Sequence, residues 1–206
     1  MADEFMQLSD LQMDALKEIG NIGAGNAATS LSMMINRRIE MSVPQLKILP
    51  FPEVAEVIGG AEKLVVGVYL QLHGEAPGGM LFVLPLSSAL TLADMLMGLS
   101  IGSTQKLGEM EHSALKEVGN ILVATYLNSL TMFTGLDIYP SVPSLATDMA
   151  GAILSAVIYT LGVIGDHALV IETEFSEDNQ QVVGHLFLLP EPGSLNTILE
   201  RLGVNV

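Results

Sequence analysis

The sequence predicts an α+β fold formed by internal duplication. The octapeptide at residues 15–22 returns at residues 114–121 with seven identities, 99 positions later. The pattern Gly-x-Leu-Phe-x-Leu-Pro at residues 79–85 returns at residues 184–190, 105 positions later. Because both patterns return in the same order, the chain contains two copies of one α-β-α-β-β-α unit.

The first repeat begins with a long helix. Ser9 and Gln12 predict a capping box at its start, and apolar residues at helical spacing carry it to about Asn36. The predicted core face of this helix contains Leu11, Ala15, Ile19, Ile22 and Ala27. A strand, a short helix, two hairpin strands and a final helix capped by Ser87 follow, at residues 43–50, 53–58, 64–72, 79–84 and 87–98.

The second repeat keeps that order with a longer middle helix. Its helix, strand, middle helix, two hairpin strands and last helix are expected at residues 109–134, 138–143, 148–161, 167–175, 182–189 and 193–202. A three-stranded sheet is marginal alone, so we expect the copies to merge their strands around a pseudo-twofold axis into a central sheet flanked by long helices. This predicts one domain, residues 1–206, with repeats at about 9–98 and 109–203.

Composition excludes several classes of function. The formal charge of −15, from 23 acidic and 8 basic residues, argues against a nucleic-acid partner. The chain has no cysteine, and its four histidines are scattered without metal-ligand spacing. We therefore expect no disulfide, no metal site and no cofactor of the protein's own.

The expected compartment is the cytoplasm. The first residues lack the basic and apolar regions of a secretory signal. The uncharged segment 149–165 is barely long enough to span a membrane and contains three glycines, so membrane insertion is not favoured. We expect a monomer.

Each long helix carries a polar stripe. At 100° per residue, a stripe about 60° wide holds four residues of the first helix and their four counterparts in the second: Asp14, Glu18, Asn21 and Gly25, then Ser113, Glu117, Asn120 and Ala124. A single Glu-x2-Asn pair is usually a solvated helix face. Its repetition, among glycines and asparagines that form helices poorly, indicates a function.

The chemistry of the stripe is that of positioning. An Asn carboxamide can hold and orient a water molecule, and a Glu carboxylate can accept from a cation on a partner. Neither side chain is a nucleophile, and no nearby His or Lys is arranged as a base, so the pair could direct water at an electrophile that another molecule carries. Gly23-x-Gly25-x-x-Ala28 satisfies a dinucleotide-binding fingerprint, but it lies inside a helix and is absent from the second repeat.

The doubled motif resembles the signature of the CheC phosphatases of chemotaxis, within the CheC/CheX/FliY group. The two motifs are Asp14-x3-Glu18-x2-Asn21-x22-Pro44 and Ser113-x3-Glu117-x2-Asn120-x22-Pro143. The resemblance covers nearly the whole chain and leaves both motifs complete. It implies that the protein dephosphorylates the aspartyl phosphate of a CheY-type response regulator, whose own pocket supplies Mg²⁺.

The resemblance also implies a role for each motif residue. Asn21 and Asn120 would orient the attacking water, while Glu18 and Glu117 would engage a lysine of the regulator. The two prolines, Pro44 and Pro143, would be structural and end the strand beside each long helix. Asp14 and Ser113 either support the site or only cap and solvate the helix.

Three further expectations follow. The duplication predicts two separate docking sites on opposite sides of the pseudo-twofold axis. Members of the resembled family also bind the CheD deamidase, and a non-catalytic module that sequesters phosphorylated CheY or CheD is the alternative function. A purely structural duplication would instead bury Glu18 and Asn21 between the helices.

Overall fold

The computed structural model describes residues 10–43, 45–162, 167–177 and 180–203, and it confirms the α+β class and the duplicated order of elements. The first repeat contains α1 (Asp10–Ile35), β1 (Glu40–Ser42), β2 (Leu46–Pro50), a 3₁₀ turn (Phe51–Glu53), α2 (Val54–Val57), β3 (Leu64–Gly74), β4 (Gly78–Pro85) and α3 (Leu86–Met97). The second contains α4 (Glu109–Thr134), β5 (Ile138–Pro140), β6 (Ser144–Met149), α5 (Ala150–Leu161), β7 (His167–Glu177), β8 (Gln180–Pro190) and α6 (Ser194–Arg201).

All strands form one sheet in which the repeats exchange their edges. The order is β1-β7-β8-β4-β3-β5, with β2 continuing β1 along β7 and β6 continuing β5 along β3. Leu46 of the first repeat therefore pairs with Ile171 of the second, and Leu145 pairs with Val68. Each hairpin receives its edge strand from the other repeat, so the two halves share their hydrogen bonds.

The centre of the sheet is the antiparallel pair β4 and β8. Phe82 pairs with Leu186, and both side chains belong to the same core cluster. The repeated sequence pattern instead equates Leu186 with Leu81, which lies in the cluster on the opposite face. The sequence alignment of the two repeats is thus shifted by one residue from the alignment that the sheet shows. Such a shift goes unnoticed in the sequence because both faces of these strands are apolar, so apolar residues match in either alignment.

Helices cover both faces of the sheet. The larger core lies under α1, α3, α4 and α6, and it includes the buried residues Leu16, Ile19, Val118, Phe82 and Phe175. The smaller core lies on the other face, under α2 and α5, and includes Val54, Ile153 and Phe187. The helix in the middle of the second repeat is longer, as the sequence predicts, since α5 has 12 residues and α2 has 4.

Several predicted boundaries shift. Each edge strand is divided into two segments: β1 ends at Ser42 and β2 begins at Leu46, while β5 ends at Pro140 and β6 begins at Ser144. β6 keeps pairing with β3 as far as Met149, so α5 begins at Ala150 rather than at Asp148. Pro85 precedes the first helical residue of α3, so Ser87 lies inside the first turn and is not its cap. The predicted cap Ser9 lies outside the described residues.

A buried carboxylate fixes the connection between the repeats. Asp94 on α3 is fully buried and accepts hydrogen bonds from the backbone N–H groups of Gly102, Ser103 and Thr104, at 2.7, 3.1 and 3.0 Å. Burial alone would raise the pKa of this carboxyl, but these hydrogen bonds hold the pKa below its ordinary value. The loop that leads into α4 is therefore anchored to the core.

The described residues contain neither a candidate membrane span nor a candidate metal site. None of the helices in the described ranges is long and apolar enough to cross a membrane. The same ranges contain no group of three or more His, Asp or Glu side chains that could hold a metal ion.

Candidate functional site

The polar stripe of each long helix faces solvent. On α1, the side chains of Asp14, Glu18 and Asn21 are exposed. On α4, Ser113 and Glu117 are exposed and Asn120 is half-buried (Ser113, Glu117 and Asn120 each lie 99 positions after their counterparts). The purely structural reading required Glu18 and Asn21 to be inaccessible, so this reading is wrong.

Gly20 and Gly119 lie on the buried sides of α1 and α4. A Cβ added to Gly119 would lie 2.6 Å from Cγ1 of Val68 on the sheet, and one added to Gly20 would lie 3.7 Å from Val43. Both glycines are buried, so the space beside them is occupied by Val68 and Val43 and is not open to a partner. Of the glycines in α1, Gly25 has open space around it and lies on the exposed stripe.

The four central side chains of the stripes make no polar contact within the described chain. Among the described residues, Glu18, Asn21, Glu117 and Asn120 make no side-chain hydrogen bond and no ion pair with the rest of the protein. The carboxylates and carboxamides therefore keep their full capacity to accept and donate. A polar group that is satisfied only by water can exchange that water for a ligand at small cost.

The two stripes lie on opposite flanks of the helix pair. Gly23 faces α4, because a Cβ there would approach Cα of Tyr126 to 3.1 Å. Residues two apart on a helix point about 200° apart, so Asn21 points away from α4. On α4, Tyr126 faces α1, and Asn120 stands six residues before it, so its side chain points about 120° away from that contact. The helix pair thus carries two outward-facing polar sites.

The remaining motif residues are the two prolines and the first residue of each motif. Pro143 lies in the interruption between β5 and β6, so it separates two strand segments and does not end the edge strand as predicted. Ser141 holds this interruption, because its N–H donates to the carbonyl of Gln71 and its hydroxyl accepts from the N–H of Gln71. Pro44 lies outside the described residues. The side chains of Asp14 and Ser113 are exposed and make no hydrogen bond within the described chain, so support of the site and solvation of the helix stay equal readings.

One residue was assigned to the wrong side of α1. Leu11 is predicted on the core face, but the residue is 67% exposed. Its counterpart Met110 is 71% exposed. A signal for this was available, since Leu11 precedes Glu18 by seven residues and so lies within about 20° of it on the helix.

Chemically, each site can orient a water and accept from a cation. The carboxamide and the carboxylate lie one turn apart on the same helix, and within the described chain no side-chain hydrogen bond pairs Ser113 with His112 or Lys116 as nucleophile and base. The exposed Lys17 and Lys116 adjoin the glutamates in sequence and make no ion pair. The arrangement suits an electrophile that arrives on another molecule.

Comparison with solved structures shows the fold. The Thermotoga maritima FliY structure superimposes with a TM-score of 0.79 at 24% identity, covering 96% of this chain and 98% of that one. The middle domain of Helicobacter pylori FliM gives a TM-score of 0.68 at 11% identity, covering 94% and 99%.

Comparison of sequences shows the family. The profile described as "CheC-like family" matches residues 11–48 and 110–146, which hold the two polar stripes. The protein named "CheY-P phosphatase CheC" from Bacillus subtilis (strain 168) is 38% identical over 206 residues, which is 98% of this chain and 99% of the relative. With its doubled motif and its merged sheet, this chain belongs to the CheC-like family.

Proposed function

We propose that this protein is a phosphatase that hydrolyses the aspartyl phosphate of a CheY-type response regulator. The observation that carries the proposal is the pair of unengaged, outward-facing Glu and Asn side chains on each of two equivalent helices. The name of the Bacillus subtilis relative, a CheY-P phosphatase, supports the substrate class.

The carboxamide of Asn21 or Asn120 would orient the attacking water. The water oxygen forms a bond to phosphorus while the bond from phosphorus to the aspartate oxygen of the regulator breaks. The products are inorganic phosphate, which keeps the water's second proton or passes it to solvent, and a free aspartate carboxylate. Such transfer depends mainly on positioning and charge stabilisation, and Mg²⁺ in the regulator's pocket would supply the charge.

The carboxylate of Glu18 or Glu117 would dock the regulator. It lies one helical turn from the asparagine on the same face, so a regulator that admits the carboxamide also brings its phosphate-site lysine within reach of the carboxylate. A charge-assisted hydrogen bond of this kind fixes orientation as well as adding affinity. The glutamates therefore govern binding and the asparagines govern turnover.

The test of turnover follows the loss of the phosphoryl group from the phosphorylated regulator in Mg²⁺. Wild type should accelerate the loss, and Asn21→Ala/Asn120→Ala should return it to the rate of the regulator alone. Asn26→Ala/Asn128→Ala is the matched control, because these asparagines are exposed on the same two helices outside the stripes. Equal rates for wild type and the stripe variant would remove the catalytic assignment.

The test of docking separates KM from kcat. Glu18→Gln/Glu117→Gln keeps the shape of both side chains and removes both charges, so KM should rise several-fold while kcat changes little. If kcat alone falls, the glutamates act on the chemical step and the docking role is wrong.

The alternative is a binding module without turnover. It predicts tight binding of the phosphorylated regulator with no change in the rate of phosphoryl loss. Binding of a CheD deamidase and a monomeric state stay predictions, and sedimentation of the protein alone and with CheD tests both.

A further inference from the structure

We infer that Leu11 and Met110 are the apolar anchors of the two docking sites and contact the response regulator directly. The inference rests on the proposed function, since it assigns residues to the surface that the regulator would cover. It concerns affinity and not the chemical step.

The exposure of these residues is repeated. Leu11 is 67% exposed and Met110 is 71% exposed, and they occupy equivalent positions of the two repeats. A single exposed leucine on a protein surface needs no explanation. A large apolar side chain at the same place in both copies, on the same face as the site, is a shared feature of that site.

Their position places them inside any interface centred on the site. Leu11 precedes Glu18 by seven residues, which is about 10 Å along the helix and within about 20° around it. Met110 stands in the same relation to Glu117. A partner in an ordinary interface covers about 800 Å², a patch about 16 Å in radius, so a regulator seated on Glu18 and Asn21 reaches Leu11.

The negative charge of the chain is a reason to expect an apolar contribution to the affinity for the regulator. The chain carries a formal charge of −15, and the first stripe adds Asp14 and Glu18 to the surface that meets the regulator. The affinity that a glutamate–lysine contact contributes at an exposed surface weakens as the salt concentration rises. Burial of Leu11 or Met110 against an apolar patch about 10 Å from the regulator's lysine supplies affinity that salt does not screen.

The experiment measures binding and turnover on the same variants. Leu11→Ser/Met110→Ser is titrated against the regulator loaded with Mg²⁺ and beryllofluoride, and KM and kcat are measured with the phosphorylated regulator. We expect the Kd and KM to rise about tenfold, as for truncation of an interface anchor, with kcat unchanged. The conservative pair Leu11→Met/Met110→Leu should keep the wild-type Kd.

The matched control is Met33→Ser/Met132→Ser. These methionines are 72% and 67% exposed, are also equivalent in the two repeats, and lie on the same helices about 18 Å beyond the asparagines. They should leave Kd and KM unchanged. Thermal unfolding of each variant should match wild type, because none of these side chains is buried.

The outcomes separate the two claims. An unchanged Kd for Leu11→Ser/Met110→Ser, or an equal rise for the Met33→Ser/Met132→Ser control, overturns the anchor assignment. If wild type binds the loaded regulator but never speeds phosphoryl loss, the phosphatase proposal fails, while the change in Kd still decides the anchors. If wild type does not bind the loaded regulator, both fail.

Discussion

Gly23 and Tyr126 bring the backbones of α1 and α4 into contact, since a Cβ added at Gly23 would lie 3.1 Å from Cα of Tyr126. This contact sets the rotation of both helices about their axes. Asn21 then points outward because it stands two residues before Gly23, and Asn120 points about 120° away from Tyr126 because it stands six residues before it. The orientation of both candidate sites therefore depends on a residue that touches neither.

A methyl group at Gly23 should destabilise the protein. Gly23→Ala meets backbone that cannot rotate away, so we expect a loss of about 1–3 kcal/mol in the free energy of unfolding. Gly25→Ala is the control: its Cβ would meet nothing within 4 Å, so helix propensity should add up to about 1 kcal/mol. Urea titration checks both, and a Gly23→Ala protein as stable as Gly25→Ala would contradict the close helix contact.

Replacement of the octapeptide glycine by alanine should destabilise the second repeat more than the first. A Cβ at Gly119 would lie 2.6 Å from Cγ1 of Val68, whereas one at Gly20 would lie at an ordinary 3.7 Å from Val43. We expect Gly119→Ala to cost about 1–3 kcal/mol and Gly20→Ala to change stability by less than about 1 kcal/mol. Denaturant midpoints of the two variants measure this, and equal losses would show that the copies pack alike.

Much of this architecture follows from the sequence because its signals are local and repeated. α4 spans the predicted residues 109–134, and both hairpins form where their β-rich runs predict them. The exchange of edge strands is different, since the partner of Leu46 is Ile171, 125 positions away, and no local pattern specifies that choice. Only the argument that a three-stranded sheet is marginal alone leads there.

At the candidate sites, too, the sequence predicts some residues correctly and others not. The repeat and the helical period place Glu18 and Asn21 on an exposed face, and the structure agrees. Leu11 is exposed although it is apolar, because it lies within about 20° of Glu18 on the solvent-facing side of the first turn of α1. Asp94 was missed because its hydrogen-bond partners lie in a loop with no repeat counterpart.

At acid pH the protein should lose the stability that Asp94 contributes to the loop between the repeats. Hydrogen bonds from Thr104, Gly102 and Ser103 outweigh burial and lower the pKa of Asp94, so the unfolded chain takes up the proton first. Asp94 therefore stabilises the fold fully above its ordinary pKa of 3.8, and this contribution disappears as the pH falls through the folded pKa. Asp94→Asn should cost about 1–3 kcal/mol at pH 7.

The measurement for Asp94 is the free energy of unfolding of wild type and Asp94→Asn between pH 7 and pH 3. The difference between the two proteins should be constant near neutrality and shrink in acid. Asp137→Asn is the control, because Asp137 is exposed and should leave stability within about 0.5 kcal/mol of wild type. A difference that is independent of pH would show that the Asp94 charge is unimportant.

Two regulator domains should bind one chain at the same time. Asn21 points away from α4 and Asn120 lies about 120° around α4 from Tyr126, which faces α1, so we expect regulators that dock on the two stripes to approach from opposite flanks of the helix pair. Calorimetric titration with the beryllofluoride-loaded regulator should give two regulators per wild-type chain. Glu18→Lys or Glu117→Lys opposes the regulator's lysine at one site only, so each should reduce the ratio to one. Asn21→Ala keeps that docking charge and should still bind two, while the rate of phosphoryl loss falls to what the Asn120 site supplies. A wild-type ratio of one would mean that the two sites exclude each other.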